Sequence, residues 1–312
     1  MGGIKRRAAG GGAPLNIACG ADSIVATRIA AADADRPLVQ LAKVDFGPGA
    51  PRARCEALEA ALGLRRDTIR LLLSAGEYQF FQFEMPQVPA EELKTAVRWQ
   101  VKDQLRGAID ATTIDLVPAL EDAGGVRRPQ GYVVAASNEL LVDCMQRFRA
   151  SNSSVSVIDV PELAQRNIAD LLEEPGRATA IMSISEGGAM LTASRGGYVY
   201  FTRSFEASLD AIRRSDEARR SVFDRLVLEL QRSADVLEHQ FSHLSVSALW
   251  LAPFPHRDEL LSLLIDALYL PVKAIELDVL FDFTPVGKPV DELHAAALFL
   301  PLGLCLRDRG AR

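Results

Sequence analysis

Apolar residues recur along this chain with two different periods, and the periods alternate in blocks. Ile17, Ile24, Val25 and Ile29 alternate weakly around Gly20, which predicts a β-hairpin over 15–29. A strand over 38–46 follows, closed by Gly47-Pro48-Gly49-Ala50-Pro51. Leu58 and Leu62 stand one turn apart in a helix over 52–62 that Gly63 stops. The run 68–74 is continuously apolar, as in a strand buried on both faces. A strand over 78–85 is broken by Pro86 and Pro89, which introduce a helix over 90–105. Leu93, Val97, Val101 and Leu105 form the inward stripe of that helix, and Trp99 lies off it. Strands over 113–120 and 132–136, joined by the turn-rich segment 121–130, precede a helix over 139–148. A strand over 156–160 and a helix to about residue 172 finish the first half.

Glu173-Glu174-Pro175-Gly176 reads as a linker. The second half restarts with strands over 178–185, 189–194 and 198–203, turned by Gly187-Gly188 and Arg195-Gly196-Gly197. A long helix over 217–240 has the seam Val222, Leu226, Leu230, Ala234, Leu237 and Phe241. A strand over 246–251, a helix over 257–268, a strand over 272–275 and a helix from about residue 291 complete the pattern. Each half thus opens with hairpin strands and closes with a helix–strand–helix series. Two such halves predict an α/β protein with two related lobes.

At 312 residues each half is long enough to bury its own core. A composition of 48% hydrophobic and 24% charged residues is that of an ordinary globular protein. The net charge of −6 and pI near 5.4 exclude a general nucleic-acid binder, whose footprint is a basic surface. Cys19, Cys55, Cys144 and Cys305 are scattered, so neither a zinc knuckle nor a disulfide framework is expected, and a reduced cytosolic setting fits. Residues 1–13 are Gly-rich, carry Lys5, Arg6 and Arg7, and read as a flexible tail. The alternative for that tail is a weak electrostatic touch on an anionic membrane. No stretch reaches the roughly 18 apolar residues of a spanning helix. The best candidate, 295–306, contains Pro301 and Gly303 and reads as core.

Candidate chemistry is sparse. There is no Walker A loop, no Gly-x-Ser-x-Gly elbow and no dinucleotide fingerprint after a strand. His239 and His243 have the spacing of a metal pair, but Gln240 stands in place of a zincin glutamate and no third ligand is near, so they read as surface histidines and no metal is expected. Arg225, Glu229, Arg232 and Asp235 read as an exposed ion ladder on the long helix.

That same segment, Glu229-Leu230-Gln231-Arg232-Ser233-Ala234-Asp235, feeds the apolar strand 246–251. The combination resembles the actin-like pilus-assembly ATPases of the PilM and MshI family. Other landmarks fall in the family's order over about residues 15–307. They are Phe83-Glu84-Met85-Pro86 with Glu92-Leu93 and Val97-Arg98-Trp99, then Ile158-Asp159-Val160 with Ala164 and Asn167. Phe201-Thr202-Arg203 and Leu302-Gly303-Leu304-Cys305-Leu306-Arg307 follow.

The resemblance implies a two-lobed actin-like ATPase (ribonuclease H-like) fold with a small α+β subdomain inserted in the first lobe. Residues 14–175 would form the first lobe, with the insert at about 86–157. Residues 176–312 would form the second, with a reduced outer subdomain at about 204–220. It further implies a cytoplasmic protein at the inner membrane that grips the short N-terminal peptide of a bitopic PilN-like partner, serves the pilus motor complex and associates with the membrane only through that partner. Arg232 would then tie its helix to the interlobe cleft. Phe81, Phe83, Met85 and Trp99 are candidates for a peptide groove, since such grooves use exposed aromatic and Met-rich surface. The other reading of Trp99 is packing under a neighbouring subdomain.

Measured against the family's nucleotide loops, this chain has lost the chemistry. The first loop keeps Gly20 and Ser23, but Ala18 and Val25 replace the acid and the lysine. Ser183 and Ser185 stand in the second loop where the family has Asp-x-Gly. The third, a glycine turn in the family, is Ala252-Pro253-Phe254-Pro255. Alanine cannot orient a Mg²⁺-bound water, valine cannot neutralise a phosphate, and proline supplies no N–H. The expectation is a non-catalytic member of the fold with no tight ATP or magnesium binding. The rivals are an active PilM-like ATPase of pilus or type II secretion assembly, and a sugar-kinase-like or peptidase-like enzyme. The last would need a catalytic acid in the cleft, and Asp22 and Glu186, which lie near the loops, are expected to be dispensable.

Overall fold

Three sheets organise the chain, each assembled from the strands that the alternation predicts. The computed structural model describes residues 12–117, 130–241 and 244–309. The tail over 1–11, most of the turn-rich segment and His243 lie outside the described residues. In the first half, β1 (Leu15–Cys19), β2 (Ser23–Ala30) and β3 (Leu38–Phe46) form an antiparallel meander, and α1 (Pro51–Leu62) leads into β4 (Thr68–Leu72). Next come β5 (Tyr78–Glu84), α2 (Ala90–Gln100), β6 (Thr112–Val117) and β7 (Gln130–Ser137). The half closes with α3 (Asn138–Gln146), β8 (Ser154–Asp159) and α4 (Pro161–Ala169).

The second half repeats the plan. A meander of β9 (Ala178–Ser185), β10 (Gly188–Arg195) and β11 (Tyr198–Phe205) is followed by α5 (Leu209–Arg214) and α6 (Asp216–Gln240). Then come β12 (Val246–Leu251), α7 (Arg257–Ala267), β13 (Val272–Ala274), α8 (Leu277–Leu280) and α9 (Glu292–Cys305). The two large sheets have equivalent orders, β3-β2-β1-β4-β8 and β11-β10-β9-β12-β13. In each, the meander is antiparallel and the two added strands run parallel. Central β9 is buried along nearly its whole length, because helices cover both of its faces.

The third sheet, β5-β7-β6, is antiparallel and is inserted between β4 and β8. Val97 and Val101 are fully buried against it, with Leu93 and Leu105 packed alongside, as the stripe predicts. The helix itself ends earlier than expected, at Gln100, and a 3₁₀ turn over Lys102–Gln104 carries the chain to Leu105. The insert also differs from the expected 86–157. β5 belongs to it, since all seven of its residues pair with β7, while β8 belongs to the large sheet beside β4. Helix α3 sides with the first lobe too, because Cys144 buries in that lobe's core beside Leu58 and Ile69.

A second difference concerns the end of the described chain. The expectation placed everything after residue 176 in the second lobe, yet α9 returns to the first. Leu298, Phe299 and Leu302 pack with Val25, Ile29 and Val39. Thr27 Oγ1 donates to the Pro301 carbonyl at 3.1 Å, and Asn167 Nδ2 donates to the Gly303 carbonyl at 3.0 Å. Arg307 then pairs with buried Asp159, and Arg70 with Asp308. All four cysteines are free and buried. Among the described residues no helix is long and apolar enough to cross a membrane.

Candidate functional site

The site begins with two turns that face each other across the lobes. In the first lobe, the Gly20 amide donates to the Ser23 carbonyl at 2.9 Å and closes the β1–β2 turn. Arg54 braces that turn from outside, donating to the Gly20 carbonyl at 2.8 Å and to the Gly47 carbonyl. In the second lobe, Ser185 Oγ accepts from the Gly187 amide and donates to the Gly188 carbonyl, both at 3.2 Å, which shapes the β9–β10 turn.

The turns touch. The Asp22 amide donates to the Glu186 carboxylate at 3.4 Å. A Cβ built on Gly20 would stand 2.7 Å from that carboxylate, and one on Gly187 would stand 2.5 Å from the Ala75 Cβ. The Gly187 approach requires glycine, because the Ala75 Cβ in the turn between β4 and β5 cannot swing aside, whereas the exposed Glu186 side chain could.

Behind the turns lies a cavity of about 370 Å³. Val25 and Leu72 of the first lobe, Met190 and Leu209 of the second, and Leu293 and Leu300 of α9 supply apolar walls. Among the described residues the charged groups that line it are Asp22, Glu162 and Glu186, and no Lys, Arg or His does. Glu162, in the first turn of α4, is 5% exposed and accepts a hydrogen bond from the Tyr78 hydroxyl at 2.7 Å. Burial raises its carboxyl to about 7, against the lowering effect of that hydrogen bond. The same burial, with Glu162 beside it, pushes the Tyr78 phenol well above its ordinary range.

The structure brings together most of the residues expected in nucleotide loops. Ala18, Gly20, Ser23, Val25, Ser183 and Ser185 all line the cavity. Ala252 and Pro253 do not. Ala252 is fully buried with its amide donating to the Met182 carbonyl at 2.9 Å, and the next residue but one, Phe254, is core. Pro253 lines a neighbouring polar hollow with Lys288 and Asp291.

Sequence reasoning missed Glu162 and Tyr78. They stand 84 residues apart, and no local pattern couples an acid at a helix start to a phenol at the start of a strand.

The expectation that Arg232 reaches the cleft does not hold. Its side chain is 68% exposed and pairs with Glu229 at 2.8 Å, one rung of an ion ladder. The residue that anchors α6 is Arg203 on β11, which pairs with Glu229 and donates to Ser233 Oγ at 3.3 Å. The Glu229–Ser233 spacing thus serves the packing of β11 on α6. His239 is exposed at the end of the same helix.

The candidate groove residues separate. Phe81, Phe83 and Met85 share the face of β5 that packs under α2, where Phe83 is 5% exposed. Trp99 stays 60% exposed instead of packing under a neighbouring subdomain. On the opposite face of β5, Phe80 stacks on Tyr132 with ring centroids 4.9 Å apart. Tyr132 then donates to the Tyr200 carbonyl at 3.1 Å, so the insert rests on the second lobe.

No family model matches the chain, and no curated protein matches it. Among solved structures, a chain of the PilM-PilN type IV pilus biogenesis complex is similar at 21% identity, with 95% of this chain and 98% of that one covered and a TM-score of 0.75. A protein of unknown function with an actin-like ATPase fold from Bacteroides thetaiotaomicron is similar at 8% identity, with 86% and 92% covered and a TM-score of 0.51. With its two equivalent sheets and the insert between β4 and β8, the chain has the two-lobed actin-like ATPase fold.

Proposed function

We propose that this protein is a non-catalytic scaffold of type IV pilus assembly, of the MshI type within the PilM and MshI family. In this reading it works at the cytoplasmic face of the inner membrane, beside the pilus motor complex. It holds the short N-terminal peptide of a bitopic PilN-like protein and associates with the membrane only through that partner. The observation that carries the reading is the end-to-end likeness to a chain of the PilM-PilN complex, 98% of which is covered. A fold hosts many chemistries, so what favours a scaffold over an ATPase is the lining of the cleft.

The residues present do not fit Mg-ATP. A triphosphate needs cations and free backbone donors. Among the described residues this cavity carries three carboxylates and no basic side chain, and the Glu186 carboxylate already lies against the first turn. The third turn is packed core at Ala252 and Phe254. No catalytic step follows from such a set. For docking, Trp99 is the available anchor, with Phe81 and Met85 half-buried beneath the same helix. Such anchors dominate peptide affinity.

Calorimetric titration of the full chain tests both parts. The N-terminal peptide of a bitopic PilN-like protein should bind with micromolar affinity, and Trp99→Ala should lose that binding while Mg-ATP gives no heat. Micromolar Mg-ATP binding, or a silent peptide, overturns the proposal.

A further inference from the structure

We propose that the interlobe cavity is a binding site for a small organic amine, a ligand with one cationic head and a compact apolar body. This goes beyond the docking reading and does not depend on it. The cavity's volume of about 370 Å³ falls within the range of small-molecule sites, roughly 300–1,000 Å³. Its aliphatic walls, Val25, Leu72, Met190, Leu209 and Leu300, come from both lobes and from α9, so a ligand there would touch all three.

The sign of the charge follows from the carboxylates. Glu162 enters from the start of α4, and Asp22 and Glu186 from the two turns, and among the described residues no Lys, Arg or His lines the cavity. Glu162 is 5% exposed, and its hydrogen-bond partner, the Tyr78 hydroxyl, carries no charge. The charged neighbour that acts on it is Asp159, a second acid. A buried acid without a cation titrates high, and Glu162 does so at about 7. An ammonium in the cavity would supply the missing charge, whereas a phosphate or carboxylate ligand would face three anions. A bare metal ion is equally poorly served, because Mg²⁺ or Ca²⁺ asks for six or more oxygen ligands and these walls are largely hydrocarbon.

Calorimetric titration of the full chain at about pH 8, above the Glu162 value, tests the proposal with three probes of one shape: phenylbutylamine, phenylbutanol and phenylbutyrate. The amine should bind about tenfold more tightly than the alcohol, and the carboxylate should not bind. Glu162→Gln should bring amine and alcohol to near parity, and Glu186→Gln, in the exposed turn, should weaken the amine alone. Met190→Trp, which fills the cavity, should abolish all binding while the thermal melt stays cooperative. A carboxylate that binds as well as the amine, an amine that does not bind, or amine binding that survives Met190→Trp overturns it.

Discussion

Replacing Glu162 by glutamine should stabilise the protein at neutral pH and leave it nearly unchanged in acid. The native carboxyl sits at about 7 because it is desolvated, against an ordinary value of 4.5. Below about pH 4.5 folded and unfolded chains both hold the proton, and the contribution is fully present. As pH rises toward 7 the unfolded chain releases its proton while the native one keeps it, so stability is lost. Above 7 both are ionised and the whole penalty is in place. The gap from 4.5 to about 7 corresponds to about 3 kcal/mol. In a chain of this size that is a shift in melting temperature on the order of 5 °C. Glutamine can still accept from Tyr78, so the hydrogen bond survives.

The assay is thermal denaturation of both proteins between about pH 4.5 and 8.5, read as the difference between them. Asp170, lifted by burial to about 6, titrates in the same direction but is present in both and cancels. The difference should rise through pH 6 and level off above about 7.5. A flat difference curve, or a variant less stable than the parent at pH 8, would mean that a cation holds Glu162 ionised, and the reasoning would be refuted.

Gly187→Ala drives a Cβ to 2.5 Å from that of Ala75, so the turns must part. A cost of about 1–3 kcal/mol is expected, with faster hydrogen exchange at residues 74–76, and unchanged exchange would show that the turns do not hold the lobes together. Arg203→Ala should cost about 0.5–1.5 kcal/mol by removing the link from β11 to Glu229 and Ser233, whereas exposed Arg232→Ala should stay within about 0.5 kcal/mol in chemical denaturation. Equal costs would return the anchoring role to Arg232. Asn167→Ala removes the side-chain donor that the Gly303 carbonyl has besides the Leu306 amide, and a loss of about 0.5–1.5 kcal/mol by the same measurement checks the grip of α4 on α9.

The strands were legible because apolar runs are punctuated by glycine turns, most clearly from β9 to β11, where Gly187-Gly188 and Gly196-Gly197 mark the hairpins. The long helices were legible from their stripes, and α6 buries Val222, Leu226, Leu230 and Leu237 as spaced. Short helices were not. Leu209–Arg214 carries its signal in Ser208, whose Oγ accepts from the Ala211 amide, but so brief a helix has no apolar period to read. Leu277–Leu280 is a single turn with the same difficulty.

At the site, the sequence names Ala18, Gly20, Ser23, Val25, Ser183 and Ser185, which line the cavity, because each lies in a short local turn or strand end. It does not reveal that Glu186 lies against Gly20, since the contact joins turns 164 residues apart at Asp22 and Glu186. The fate of Phe83 was illegible for a similar reason. Which face of β5 meets α2 depends on how the insert folds, and alternation assigns faces without saying what covers them.

The homecoming of α9 sets a timetable for synthesis. Thr27 waits for the Pro301 carbonyl, 274 residues further along, and at ribosomal rates of about 5–20 residues per second that is a delay of roughly 15 to 55 s. Until then Val25, Ile29 and Val39 lack the cover of Leu298, Phe299 and Leu302, and the nascent N-terminal half presents a bare hydrocarbon flank to holdase chaperones. The first lobe is therefore finished only after every strand of the second has been made, and whatever the molecule holds meets a complete first lobe no earlier than the emergence of α9.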